Sequence, residues 1–332
     1  MADLRCKCMG IELKNPIIAG ASKLTTNMDS IKAIEDAGAS AIVCASLFEE
    51  QIELEQLQHD EESSALDGMG AEFSSMLPEI EHGGPKEHLM WVRKTKQAVN
   101  IPVLASLNAV NKGTWVEYAR QLAETGIDGL ELNFYYTPSE VGRTGAEVEA
   151  EQIEMLKAVK EAVSIPITVK LSSFYSNPLN AIKQMDAVGV DAFILFNRFF
   201  ESEIDVEGEV HSKQFKLSPA GSNGTTNRFI GLLSGEVNAD FVANTGVLTG
   251  IDVIKSLLVG ANAVQVVSTL YANEISYLST MLKDLEAWMD EKDYGSLAEF
   301  RGKLSRQNAS DPYVYRRAQY VDLILNSNKL LG

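Results

Sequence analysis

Lys170 lies in ITVKLS, a run that otherwise belongs in a protein interior. A buried ammonium must be paired or give up its proton. A lysine there is therefore half of an internal ion pair, a working cation, or both. Glu131, in the apolar segment 129–134 (GLELNF), is the candidate partner. Side chains two apart on a strand point the same way, so Glu131 shares its face with Asn133. After Phe134 the chain breaks into YYTP, an irregular loop carrying Tyr135 and Tyr136. As a nucleophile Lys170 would suit a Schiff-base lyase on a phosphorylated substrate; as a fixed cation it would stabilise negative charge that develops on a bound group.

Other polar residues close apolar strand-like runs in the same way: Ser46, Asn108, Asn133, Asn197, the group Asn244, Thr245 and Gly246, and Ser268. That is more polarity than a core needs, because each buried polar group must find a partner. NTGVLTG (244–250) and VST (267–269) combine glycine, small hydroxyls and the start of a helix. Free backbone amides and the helix dipole make such a turn an anion site, and a phosphate is the expected occupant. The plainer alternative is that Thr249 only caps its helix. No G-x-S-x-G, P-loop, G-x-G-x-x-G or H-E-x-x-H pattern occurs. The four histidines, His59, His82, His88 and His211, fall in two long connections or their flanks and read mostly as surface residues, so neither a metal site nor a histidine base is expected.

The elements that must position these residues follow a repeated unit. Helix, glycine, then strand recurs at 36–43, 124–132, 187–196 and 258–267, and VNIPVLAS (99–106) and VSIPITVK (163–170) repeat a second junction. Proline is tolerated at the first residue of a strand. With Pro16 and 240–246 this makes eight strands, beginning near residues 16, 39, 102, 127, 166, 190, 240 and 261. Asn27, Thr114-x-x-Glu117, Asn177-Pro178 and Thr249-x-x-Asp252 predict helix starts. Eight βα units most simply close into a (β/α)₈ TIM barrel, here a single domain over residues 1–332 with an N-terminal hairpin near 4–13. A doubly wound open sheet is the alternative. Two connections exceed a plain crossover: 47–98 after strand 2, with an acidic stretch 49–62 read as a solvated face, and 197–239 after strand 6, where 203–210 suggests a hairpin.

A net charge of −17 argues against nucleic acid and anionic membrane as partners. No run of about 18 apolar residues is present. The first residues lack a signal-peptide core, and three cysteines neither form a closed disulfide framework nor complete a structural zinc site. A cytoplasmic enzyme with a small-molecule substrate is expected.

NPIIAGAS (15–22), SLFEEQ (46–51), IPVLASLN (101–108), ELNFYYTP (131–138), VKLS (169–172), LFNRF (195–199), 244–266 and RGKLSRQN (301–308) together resemble the dihydroorotate dehydrogenase family of FMN-dependent barrels, and more closely its dehydrogenase-like branch. The resemblance implies FMN across the barrel mouth, its phosphate on Asn244, Thr245, Gly246 and Ser268. Asn108, Asn133, Lys170 and Asn197 would face the ring or the substrate, with Gly20, Ala21 and Ser46 completing the cofactor contacts. It implies oxidoreduction of a CH–CH bond, dihydroorotate to orotate in pyrimidine biosynthesis being the family default. Two positions depart from the pattern. Tyr136 stands where members carry a Cys or Ser base, and with an ordinary pKa of about 10 it is the better acid. Ala45 stands where members usually carry lysine. A catalytically silent flavin-binding barrel is therefore a second expectation. A homodimer is expected. With no cluster-type cysteine set in the chain, any iron–sulfur relay belongs to an electron-transfer partner protein.

Overall fold

The computed structural model describes residues 2–53, 84–108, 111–138, 140–212 and 215–327. Eight parallel strands form a closed ring: β1 (Ile17–Ala19), β2 (Ala41–Val43), β3 (Val103–Asn108), β4 (Gly129–Phe134), β5 (Ile167–Leu171), β6 (Ala192–Leu195), β7 (Asp240–Ala243) and β8 (Ala263–Val266). The ring closes where Val264 of β8 stands beside Ile17 of β1, so no edge is left to pair with another chain. All eight expected strands are present. Short runs suffice because each is paired on both sides and packed on both faces.

The repeated junction has a physical basis. Gly38, Gly126, Gly189 and Gly260 end their helices with φ between 85° and 118°, a backbone that only glycine adopts without strain. Two residues on, a polar side chain ties the unit to the strand before it. Asp128 accepts from Val103 N at 2.7 Å and from Lys96 Nζ at 2.6 Å. Asp191 repeats this with Ile167 N at 2.8 Å and Lys160 Nζ at 3.0 Å. In the last unit Asn262 Oδ1 accepts from Phe241 N at 3.1 Å.

Among the described residues eight helices cover the ring: α1 (Met28–Asp36), α2 (Pro85–Ala98), α3 (Lys112–Ala123), α4 (Gly145–Ala162), α5 (Pro178–Asp186), α6 (Gly224–Leu233), α7 (Gly250–Val259) and α8 (Tyr277–Glu291). Asn27, Asn177 and Thr249 cap α1, α5 and α7 as expected. Thr114 does not cap α3. That helix starts earlier, at Lys112, and Thr114 Oγ1 instead donates to Glu49 Oε1 at 3.1 Å. Glu49 also accepts from Asn111 N at 2.8 Å and is buried, so the acidic stretch begins as a structural clamp and not as a solvated face. Its continuation over 54–62, like Gly68, Gly70, His59 and His82, lies outside the described residues.

The N-terminal hairpin pairs Cys6–Cys8 with Ile11–Leu13, and Met9 N donates to Asp240 Oδ2 at 2.8 Å at the start of β7. The insertion after β6 holds the second hairpin, Glu203–Asp205 with Val210–Ser212. The tail is fastened by Gly302 N to Leu257 O, Leu304 N to Leu258 O and Arg306 N to Gly231 O, while the last helix, Arg317–Leu325, buries none of its residues. No described helix is long and apolar enough to cross a membrane.

Candidate active site

A cavity of about 440 Å³ opens at the carboxyl ends of the strands. Ala21, Ser46, Asn108, Asn133, Lys170, Asn197, Asn244, Thr245, Gly246 and Ser268 all line it. Strand direction explains this gathering: parallel strands in one register bring every carboxyl end to the same mouth. Gly20 does not line the cavity. A Cβ there would stand 2.7 Å from Val267 Cγ2 and 2.8 Å from Gln265 Cγ, so Gly20 serves the close passage of β1 against β8.

The floor is a connected polar network. Lys170 Nζ donates to Gln265 Oε1 at 3.1 Å and stands 3.7 Å from Glu131 Oε1. Gln265 Nε2 donates to Glu131 Oε2 at 2.7 Å, and Ser106 Oγ donates to Glu131 Oε1 at 3.1 Å. Ser106 and Ser46 hydroxyls meet at 2.8 Å. Glu131 is 0 % exposed and Lys170 6 % exposed, so the internal-pair reading of Lys170 holds. The same lysine also faces the cavity. Buried charges survive where each remaining polar atom finds a partner, and the network supplies those partners.

Above the floor, Asn197 Nδ2 donates to Asn133 Oδ1 at 2.9 Å. Asn244 Nδ2 and Thr245 Oγ1 both donate to Phe196 O, at 2.8 and 2.7 Å. That anchorage holds the turn in which Thr245 and Gly246 take φ of 69° and 76°. The backbone N–H groups of Thr245, Gly246 and Val247 meet no acceptor among the described residues. Thr249 is a helix cap: its hydroxyl donates to Asp252 Oδ2 at 2.9 Å, and Asn223 Nδ2 holds the other Asp252 oxygen at 3.2 Å. Ser268 Oγ accepts from Ser218 N at 3.1 Å, which draws the insertion after β6 over the cavity.

Of the two tyrosines after β4, Tyr135 lines the cavity, and its hydroxyl accepts from Phe200 N at 3.2 Å. Tyr136 is not among the lining residues; its ring faces the Arg143 guanidinium, 5.6 Å away. Ser106, Gln265, Tyr135, Phe200 and Phe215 were not foreseen as site residues. Gln265 had a usable signal, a lone polar residue in the apolar run AVQVV, the same signal that exposed Lys170.

Other reactive groups sit away from this chemistry. Cys44 is fully buried, and burial pushes its thiol up to about 12, leaving it inert near neutrality. His88 is not a plain surface residue: burial lowers it to about 4, and its Nε2 meets no partner among the described residues. Among the described residues no group of three or more His, Cys, Asp or Glu is placed to hold a metal ion.

A closed eight-stranded barrel with a polar cavity at its carboxyl end defines a (β/α)₈ enzyme. The family model for dihydroorotate dehydrogenase matches residues 3–289, and the chain belongs to that family. It is an oxidoreductase of the dihydroorotate dehydrogenase type. The catalytic subunit of dihydroorotate dehydrogenase B (NAD(+)) from Thermoplasma acidophilum is 23 % identical over 308 residues, covering 91 % of this chain and 99 % of that protein. Its counterpart from Methanosarcina acetivorans is 25 % identical over 302 residues, covering 88 % and 93 %. Dihydroorotate dehydrogenase A (fumarate) from Lactobacillus delbrueckii subsp. bulgaricus is 28 % identical over 185 residues, 54 % of this chain and 60 % of that protein.

Proposed function

We propose that the chain is an FMN-dependent oxidoreductase acting on a CH–CH or C=C pair, with dihydroorotate as the first substrate to try. The observation that carries this is the polar set on one cavity: the Lys170 cation, four asparagine side chains and three open backbone amides. These groups fit FMN. The amides of Thr245, Gly246 and Val247, with Ser268 beside them, would hold its phosphate. Ala21, Ser46, Asn108, Asn133, Lys170 and Asn197 would hold the ring. When bound, FMN accepts or returns a hydride. Lys170, fixed by Gln265 and Glu131, supplies positive charge at no cost of reorganisation. Asn133, braced by Asn197, keeps its own amide hydrogens for the ligand.

The acid role suggested for Tyr136 has no support in its position, because the ring is turned to Arg143. Ala45 leaves the mouth one cation short of the family pattern, which weakens the fit to an anionic substrate such as dihydroorotate. A homodimer and an electron-accepting partner protein remain part of the proposal; the name "catalytic subunit" among the relatives supports the latter. The Schiff-base alternative needs an amine free to attack, whereas Lys170 Nζ is held between Gln265 and Glu131.

An absorption spectrum of the purified protein tests the reading, followed by anaerobic mixing with dihydroorotate. Flavin bands that bleach on mixing are expected. Colourless protein that borohydride links to a phosphorylated carbonyl compound at Lys170 would replace this reading with the lyase. Yellow protein that no CH–CH substrate bleaches would leave a silent flavin carrier.

A further inference from the structure

Once the residues offered to FMN are set aside, aromatic and cationic side chains dominate the rest of the cavity lining. The aromatic ones are Phe48, Tyr135, Phe200, Phe215 and Tyr271; Ser22 and Ser218 are the aliphatic hydroxyls that remain. Phe48, Phe200, Phe215 and Tyr271 are 40 % to 69 % exposed, although each is a large apolar side chain. Three of them form a wall: the ring centres of Phe200 and Phe215 are 5.5 Å apart, and those of Phe215 and Tyr271 6.4 Å. Its Phe200 end is fixed, because Phe200 N donates to the Tyr135 hydroxyl and Phe199 stacks on the Tyr135 ring at 6.1 Å. A contiguous apolar patch left open on a cavity is a surface for a ligand to cover.

The charge on the same surface is one-sided. The chain carries a net −17, yet the described lining residues include Lys23, Lys170, Arg198 and Lys216 and no aspartate or glutamate. A cleft lined by one sign of charge draws in the opposite sign. Lys170 stands beside Glu131, and Lys216 pairs with Glu203. Lys23 and Arg198 meet no carboxylate among the described residues. Arg198 Nη1 donates to Lys216 O, which ties the guanidinium to the insertion after β6, two residues from Phe200; its other N–H groups meet no acceptor among the described residues.

Resting on the flavin reading above, we infer that the substrate of this mouth is an unsaturated carboxylate that carries an aromatic ring. Arg198 and Lys23 take the carboxylate, and the wall of Phe200, Phe215 and Tyr271 takes the ring. One alkene carbon receives a hydride from reduced FMN and its neighbour receives H⁺ from water, so the C=C bond becomes CH–CH and two electrons pass to the substrate. Dihydroorotate has the carboxylate without the aromatic ring, and it would leave most of the wall in water. The wall is also longer than a single six-membered ring. Ala45 fits the same picture: positive charge is lacking after β2 and is supplied from the turn after β1 and the insertion after β6.

The test uses FMN-loaded protein and three probes: benzylidenepyruvate, with ring and carboxylate; benzylideneacetone, with the ring alone; and ethylidenepyruvate, with the carboxylate alone. Calorimetric titration of oxidised protein reads binding, and mixing with dithionite-reduced protein reads flavin reoxidation. Benzylidenepyruvate should reoxidise the flavin and bind about tenfold more tightly than either partial probe or orotate. Phe200→Ala and Phe215→Ala should weaken the two ring-bearing probes about tenfold, with ethylidenepyruvate within about twofold of the parent. Arg198→Gln should weaken the two carboxylates about tenfold, with benzylideneacetone within about twofold. Lys23→Gln, whose side chain ties down nothing among the described residues, carries the charge arm if Arg198→Gln disturbs the insertion. Orotate or ethylidenepyruvate bound as tightly as benzylidenepyruvate, ring-bearing probes indifferent to both phenylalanine variants, or tight binding without flavin reoxidation would each overturn this substrate class and leave the flavin reading standing. Protein that takes up no FMN would overturn both.

Discussion

The floor of the cavity and its rim are built on opposite terms. On the floor, Lys170, Gln265, Glu131, Ser106 and Ser46 use one another's donors and acceptors. On the rim, residues 245–247 hold three backbone donors that meet no acceptor among the described residues, and Thr245 and Gly246 sit in left-handed backbone. A satisfied network is a feature of the folded chain alone. Open donors in a strained turn make sense as half of an interaction whose other half is a ligand. The floor should therefore govern stability and the rim affinity.

Glu131→Ala should break the floor most severely. It leaves Lys170 buried without its carboxylate, which costs about 3–5 kcal/mol in urea unfolding. A loss below about 1 kcal/mol would show that water reaches Lys170 and that the floor is no sealed unit. Gly246→Ala attacks the rim. A Cβ there would stand 2.4 Å from Ser222 Oγ and 2.5 Å from Asn223 N, on a φ of 76°. About 1–3 kcal/mol of strain is expected, together with at least tenfold weaker FMN binding by fluorescence titration; unchanged binding would separate the turn from the phosphate. Tyr136→Phe is the smallest change. Stability should stay within about 0.5 kcal/mol, with FMN affinity and turnover unaltered. A slowed turnover would return the acid role to this residue and show that the loop moves when substrate binds.

The same contrast explains what could be read in advance. Strands, capping residues and strand-end polar groups carry local signatures: proline at a strand start, glycine after a helix, a polar residue closing an apolar run. Ten of the eleven expected cofactor residues therefore do line one cavity. Links made at long range left no such trace. Gln265 is 95 residues from Lys170, and Thr114 is diverted by a carboxylate 65 residues upstream. The directions of Tyr135 and Tyr136 were hidden for another reason. Alternation assigns faces only while the strand lasts, and β4 stops at Phe134, one residue before the first of them.

The aspartates at 128 and 191 lie at the opposite end of the barrel from this chemistry. Each grips the first residue of the preceding strand and a lysine of the helix that leads into that strand. They act as hoops on a cask, holding the staves below while the open end is left to vary. Both long connections leave the barrel from that open end, where the altered positions 45 and 136 also follow their strands. Descendants of such a chain can exchange the lid and the residues under it, and so change their substrate, without first having to relearn how to close the barrel.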